Sequence, residues 1–192
     1  MNVYIVRHGQ VPHNALGQYN SNDEDLTILG VQQAENLREQ IDSIKFDVII
    51  CSPLKRAKHT ADIINVNNQK IIYDERIKER GCGDLSGYPL AVTNREEYWN
   101  YNTTIKYGTS ENIKSFFDRV YNFLDELKTK DYSIIDNFSD KYLFWLKNDY
   151  ENVLIVAHSG VSKAFNGYFE GIKDGEFLNR GLKNCEIKKY EL

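Results

Sequence analysis

The chain has 192 residues, enough for one domain with a sizeable core. Its formal net charge is −4, which excludes general binding to nucleic acid or to an anionic membrane; an anionic substrate needs a local cluster of Arg and Lys. Cys51, Cys82 and Cys185 are odd in number and irregularly spaced, which argues against a disulfide framework, excludes a zinc ribbon and fits a reducing, cytoplasmic setting. No apolar run approaches a membrane span, and the first residues read as a strand rather than a signal peptide.

Val3 to Val6 are β-branched or aromatic and predict a short strand from inside the protein, followed at once by Arg7, His8 and Gly9. Gly9 is expected to let the backbone turn sharply. Residues 15 to 26 are polar and acidic and read as loop. Thr27 predicts the N-cap of a helix from Ile28 to Ile41, with Gly30, Ala34, Leu37 and Ile41 on one face. Phe46 to Cys51 is a near-continuous apolar run, a strand buried on both faces. Ser52-Pro53 predicts a helix start, with Ser as N-cap and Pro at the first helical position. Lys70 to Tyr73 predicts a third strand. This order of strands and helices implies an α/β fold with a parallel sheet.

Residues 81 to 110 hold five of the helix-breaking Gly and Pro and read as irregular. Ser110 is expected to cap a helix whose stripe is Ile113, Phe116, Phe117, Val120, Leu124 and Leu127. Phe138, Tyr142, Trp145 and Leu146 suggest a second, shorter helix. Val153 to Ala157 predicts another buried strand, followed by His158, Ser159 and Gly160, then a helix through Val161, Ala164, Phe165 and Tyr168. Cys185 to Tyr190 predicts a final edge strand whose lysines blunt pairing with other chains.

Two predicted strands end alike. Each delivers a histidine, His8 and His158, immediately after its last apolar residue. In open α/β sheets ligands bind at the carboxyl ends of strands. A third strand delivers Ser52 and a helix whose first turn carries Lys55 and Arg56. Helix amino termini and arginines both favour phosphate, so this rim is expected to gather two His and two Arg around one spot.

These segments resemble, in order, the signatures of the histidine phosphatase superfamily, which includes the cofactor-dependent phosphoglycerate mutases. Arg7-His8-Gly9 with Asn14 resembles its Arg-His-Gly block. Leu26-Thr27 with Gly30, Gln33 and Ala34 resembles its next block. Ser52-Pro53-Leu54-Lys55-Arg56-Ala57 with Thr60-Ala61 is similar to the third. Glu79-Arg80 before the glycines Gly81 to Gly87 resembles the fourth, and His158-Ser159-Gly160 the second-histidine block. The resemblance covers most of the chain except about residues 88 to 107 and 131 to 150. It implies a three-layer α/β/α sandwich, mostly parallel with an antiparallel edge strand, in a single domain spanning 1–192 with an inserted specificity segment at about 85–150.

The same resemblance implies a mechanism. His8 is the nucleophile that becomes phosphohistidine; Arg7, Arg56 and His158 hold the phosphoryl oxygens; Asn14 adds a neutral hydrogen bond; Glu79 is the general acid and base. The implied substrate is a small-molecule phosphate monoester, with no cofactor, metal or nucleic-acid partner. Several positions depart from the family pattern: Val11 stands for a usual Thr, Gln18 for a frequent Arg that recognises a second anionic group, and Ser159 for a usual Gly. Tyr88, Tyr98, Trp99 and Tyr101 lie in the segment that sets specificity in this fold, and are expected to line the pocket and favour a ring-bearing or sugar phosphate. Gln18 is a further candidate for substrate contact.

Four rivals are weighed against this, one of them a zinc hydrolase built on the four histidines, disfavoured because His8 and His13 are spaced too far for one helical face and Pro12 interrupts them. Mutases hold a carboxylate with extra basic residues, including an adjacent Arg pair, in the insertion after the Glu block; residues 88 to 110 offer only Arg95 and Lys106. A cysteine phosphatase needs five residues between Cys and Arg, and Cys51 to Arg56 leaves four. A non-catalytic phospho-ligand-binding relative is disfavoured because all five catalytic positions are present. His13 and His59 match nothing and are expected to be structural or solvent-facing.

Overall fold

A computed structural model describes residues 1–129, 150–172 and 181–192. The helix expected around Phe138 to Leu146 lies outside the described residues. The strands are β1 (Asn2–Arg7), β2 (Val48–Cys51), β3 (Ile71–Tyr73), β4 (Asn152–Ala157) and β5 (Ile187–Glu191). They form one sheet in the order β3-β2-β4-β1-β5. All neighbours are parallel except β5, which runs antiparallel to β1 at the edge. The helices named below are α1 (Pro12–Ala15), α2 (Ile28–Ile41), α3 (Lys55–Ile64), α4 (Arg95–Tyr98), α5 (Ile113–Thr129) and α6 (Ser159–Glu170).

Strand side chains alternate between faces, and here each face has its own core. Val3, Ile5, Val48, Ile50, Val153 and Ile155 pack under α5 and α6. Val6, Ile49, Cys51, Leu154 and Val156 pack under α2 and α3. The result is the three-layer α/β/α sandwich. The α5 stripe of Ile113, Phe116, Phe117, Val120, Leu124 and Leu127 is buried along its whole length. Truncating one of its phenylalanines to Ala is worth about 3–5 kcal/mol, a large share of the ~5–15 kcal/mol that holds a domain together.

Local starts and stops follow the sequence with three corrections. Thr27 caps α2 as expected, its hydroxyl accepting from Gly30 N at 3.0 Å. The third helix begins at Lys55, not at Pro53, with Leu54 at the cap. The Ser52 hydroxyl is instead engaged by His158 Nε2 at 2.8 Å. At α5 the cap is Asn112 rather than Ser110, its side chain accepting from Lys114 N and Ser115 N at 2.8 and 3.3 Å. Gly9 is needed for close approach rather than for a turn: a Cβ there would lie 2.4 Å from Gly30 O, so a side chain would push α2 off the loop after β1.

Register places the site. Arg7 pairs with Ala157, and Val156 with Cys51. The pairing runs on past the strands: His8 N donates to Ala157 O at 3.0 Å and Ser52 N to Val156 O at 2.9 Å. Three chain segments therefore leave the sheet level with one another, carrying His8, His158 and Ser52 to one rim.

Candidate active site

At that rim the two imidazole rings lie with centroids 5.1 Å apart. His8 is 1% exposed. Its Nδ1 lies 2.7 Å from Gly9 O, a carbonyl that can only accept, so Nδ1 carries the proton. Nε2 is then a lone pair, and it accepts from Arg56 Nε at 3.2 Å. Burial, then the charges of Arg56 and Arg7, hold the His8 pKa well below the ordinary histidine value. The ring is a neutral base with its outer nitrogen facing a guanidinium.

His158 is fully buried and likewise held well below its ordinary pKa, by burial first and then by Arg56. The Ser52 hydroxyl, which accepts from Leu54 N at 3.4 Å, can donate its own hydrogen to His158 Nε2. That assignment puts the His158 proton on Nδ1, which is buried without a hydrogen-bond partner among the described residues. Arg7 Nε is in the same condition. Buried donors are ordinarily satisfied, so unpaired N–H groups beside two guanidiniums mark the place for an acceptor-rich ligand.

The arginines point the same way. Arg7 Nη1 donates to Leu182 O at 3.0 Å and Arg56 Nη1 to Ser21 O at 2.7 Å. Neither forms an ion pair with a carboxylate among the described residues, although Arg56 is only 1% exposed. A buried cation without a counter-charge is costly, and an anion arriving between the two would offset that cost. Glu79 is near enough for its charge to act on both guanidiniums. Its carboxylate accepts from Arg80 N at 2.9 Å and from Gly160 N at 3.1 Å, which seats it against the turn that follows His158.

Behind Glu79 the backbone is clamped. Arg119 donates to the carbonyls of Arg76, Lys78 and Glu79 and pairs with Glu111, whose carboxylate in turn accepts from Gly81 N. By sequence Arg119 is one more helix-surface charge; only the folded loop reveals what it holds.

A cavity of about 250 Å³ opens at this rim. Of the sequence candidates, Arg7, Asn14, Gln18, Glu79, Tyr98 and Trp99 line it; His8, Arg56 and His158 are buried and not on its lining. Two expected pocket aromatics are elsewhere. Tyr88 is 56% exposed, and Tyr101 packs edge-on against Phe117. Chain direction explains both: the backbone of Tyr88 ties down Tyr19, and Tyr101 follows α4 onto the surface of α5. Asn14 is tied to its neighbours, Nδ2 donating to Asn20 Oδ1 at 3.0 Å. Val11, where the family has Thr, is fully buried.

The lining also holds Arg80, Arg95, Ser159 and Lys163; the sequence names the first three for other reasons and gives none of the four a contact with substrate. For Lys163 there was a signal, a lone cation inside the apolar run from Val161 to Phe165. Cys51 is no rival nucleophile: its buried thiol is pushed far up and donates to Ser52 O. His13 and His59 lie near Glu24 and Asp25 at 3.2 and 2.6 Å. Among the described residues no group of three His, Cys, Asp or Glu is arranged to hold a metal ion, and no described helix is long and apolar enough to cross a membrane.

Residues 3–134 match the family model described as histidine phosphatase superfamily (branch 1). Over 196 residues the chain is 35% identical to the uncharacterized phosphatase PhoE of Bacillus subtilis, covering 96% of this chain and 88% of that protein. It is 27% identical over 190 residues to phosphoserine phosphatase 1 of Hydrogenobacter thermophilus, covering 94% and 82%. The crystal structure of the alpha-ribazole phosphatase from Shigella flexneri matches with a TM-score of 0.78 at 24% identity, over 100% of this chain and 91% of that one, a likeness of fold.

Proposed function

The chain belongs to the histidine phosphatase superfamily and is a phosphatase of that family; from that premise we propose that it hydrolyses small-molecule phosphate monoesters through a phosphohistidine on His8. The observation that carries this reading is the state of His8. Its inner nitrogen is bonded to Gly9 O, and its outer lone pair rests on an Arg56 N–H at 3.2 Å. When a phosphoryl group enters, that N–H passes to a phosphoryl oxygen and the lone pair is released toward phosphorus.

The chemistry then runs in two displacements. Nε2 of His8 forms a bond to phosphorus as the ester P–O bond breaks, and Glu79 gives a proton to the departing oxygen. Water then attacks phosphorus, Glu79 takes its proton, and the P–N electron pair returns to His8. In both steps Arg7, Arg56 and the Nδ1–H of His158 offset charge on the equatorial oxygens, with Asn14 as a neutral donor. Two guanidiniums supply the positive charge and the neutral His158 ring adds a hydrogen-bond donor, so the scheme needs no metal. Uncatalysed hydrolysis of phosphate monoesters is slow enough that enzymes reach accelerations of up to ~10^21, and fixed dipoles plus a covalent step are the means present here.

The test is phosphate release from a panel of monoesters, with His8→Ala as the blank. Release above the blank from at least one small ester is expected. Isomerisation of 3-phosphoglycerate without net release would instead favour a mutase, and neither activity would defeat the proposal.

A further inference from the structure

The nucleophile segment is gripped by a stretch of chain that phosphoryl transfer as described does not use. Before entering β5, residues 182–186 run beside the end of β1. Arg7 Nη1 donates to Leu182 O at 3.0 Å, Cys185 N to Arg7 O at 2.9 Å and Arg7 N to Glu186 O at 3.2 Å. One further bond comes from a side chain: Asn184 Nδ2 donates to His8 O at 2.9 Å. Both main-chain groups of His8 are therefore held, its N–H by Ala157 O at 3.0 Å and its C=O by Asn184. The ring is bonded through Nδ1 to Gly9 O, so the direction of Nε2 follows the backbone that Asn184 fixes.

The same amide reaches a second member of the site. Asn184 Nδ2 lies 3.4 Å from Asn14 Oδ1. The orientation of both amides is set by groups that have no choice of role. Val11 N–H can only donate, so the atom 3.4 Å from it is the oxygen of Asn14. The His8 carbonyl can only accept, so the atom facing it is the nitrogen of Asn184. The two assignments meet as donor to acceptor. They leave Asn14 with its Nδ2 toward Asn20 Oδ1 at 3.0 Å and a second hydrogen on that nitrogen for a phosphoryl oxygen. A flipped Asn14 would set its NH2 against two donors and its oxygen against the phosphoryl group. Backbone conformation marks the same spot. Cys185, the next residue, has φ +54, in the left-handed region that a residue with a side chain enters only where its surroundings fix it.

On the premise of the phosphatase activity above, we propose that Asn184 is a positioning residue: it aims the His8 lone pair through the His8 carbonyl and keeps Asn14 turned as a donor, without touching substrate itself. By sequence Asn184 is one polar residue at the head of an edge strand; its partners lie 176 and 170 residues away.

The experiment measures kcat/KM on propyl phosphate and p-nitrophenyl phosphate, inhibition by inorganic phosphate, and a thermal melt of each protein. Asn184→Ala should lower kcat/KM by about 10- to 100-fold, the scale of a nucleophile displaced by a fraction of an ångström to 1 Å. Asn184→Asp keeps the shape and loses the donors, and should fall at least as far. Each loss should be the same on both esters, because His8 attacks whichever oxygen leaves. The inhibition constant of phosphate should rise by about three-fold at most, since the groups that carry the charge are untouched. Asn184→Ser, with a hydroxyl on a shorter arm, should fall in between and keeps the test open if the alanine variant does not fold. Rates within about three-fold of native for both Ala and Asp, or a phosphate constant that rises as much as the rate falls, would overturn the positioning role and leave the phosphatase intact. Failure of every ester to exceed the His8→Ala blank would overturn both.

Discussion

Replacing Gly160 by Ala should disable Glu79 without unfolding the protein. A Cβ at Gly160 would lie 2.1 Å from Glu79 Oε1, 3.1 Å from its Cδ and 2.8 Å from the Trp99 ring. Ordinary contact between such atoms is about 3.5 Å, so the carboxylate must retreat by roughly 1 Å or more. It also leaves the Gly160 N–H that it accepts from at 3.1 Å. A displacement of about 1 Å is worth ~10²-fold in rate, within the ~10²–10⁴-fold supplied by general acid–base catalysis. We predict a kcat loss of about 10²-fold on alkyl phosphates. p-Nitrophenyl phosphate, whose leaving group needs little protonation, should lose about ten-fold or less. Stability should hold, because Ala is favoured over Gly in a helix by about 0.5–1 kcal/mol and this gain offsets part of the contact cost. Steady-state kinetics on both esters with a thermal melt of each protein decide it. An alkyl phosphate rate within about three-fold of native, or equal losses on both esters, would refute the placement of Glu79.

Two further outcomes follow from the same geometry. His8 and His158 are buried neutral, so below about pH 6.5 the unfolded chain binds protons that the native one does not, and stability falls as pH falls. Each ring contributes up to ~1.4 kcal/mol per pH unit, so in urea titrations between pH 6.5 and 5 His8→Ala should be shallower than native by about that amount; identical slopes would show that the ring is not held neutral. Arg119→Met removes the clamp on the Glu79 backbone and strips partners from three carbonyls and from Glu111. It should cost about 2 kcal/mol or more in a denaturant titration and lower kcat by roughly ten-fold, and a variant as stable and active as native would remove Arg119 from the account.

Much of this site is legible in the sequence because its parts sit at the ends of buried strands. Apolar runs closing on His8, His158 and Ser52 give the strands, and parallel pairing then fixes their ends at one level. No long-range guess is needed beyond the sheet itself. What the sequence withholds depends on contacts between distant segments. Ser52 looks like a helix cap until His158, 106 residues on, takes its hydroxyl. Arg80 and Arg119 look like solvated charges, and only the folded loop turns them inward onto Tyr98 O and the Glu79 backbone. The aromatic segment misleads for a related reason. Composition marks Tyr88, Tyr98, Trp99 and Tyr101 alike, whereas the single turn of α4 buries the middle pair and sends the outer two elsewhere.

The central claim is that His8 carries the phosphoryl group between substrate and water. It is tested most directly by quenching the enzyme in alkali during turnover of a small ester and mapping phosphate on its peptides. The prediction is a phosphate on the peptide containing His8, stable in base, lost in acid, absent from His8→Ala, and more abundant in Glu79→Gln with p-nitrophenyl phosphate because the water step is slowed. A turnover-competent enzyme with no phosphoenzyme, or with an acid-stable phosphate on another residue, would contradict it.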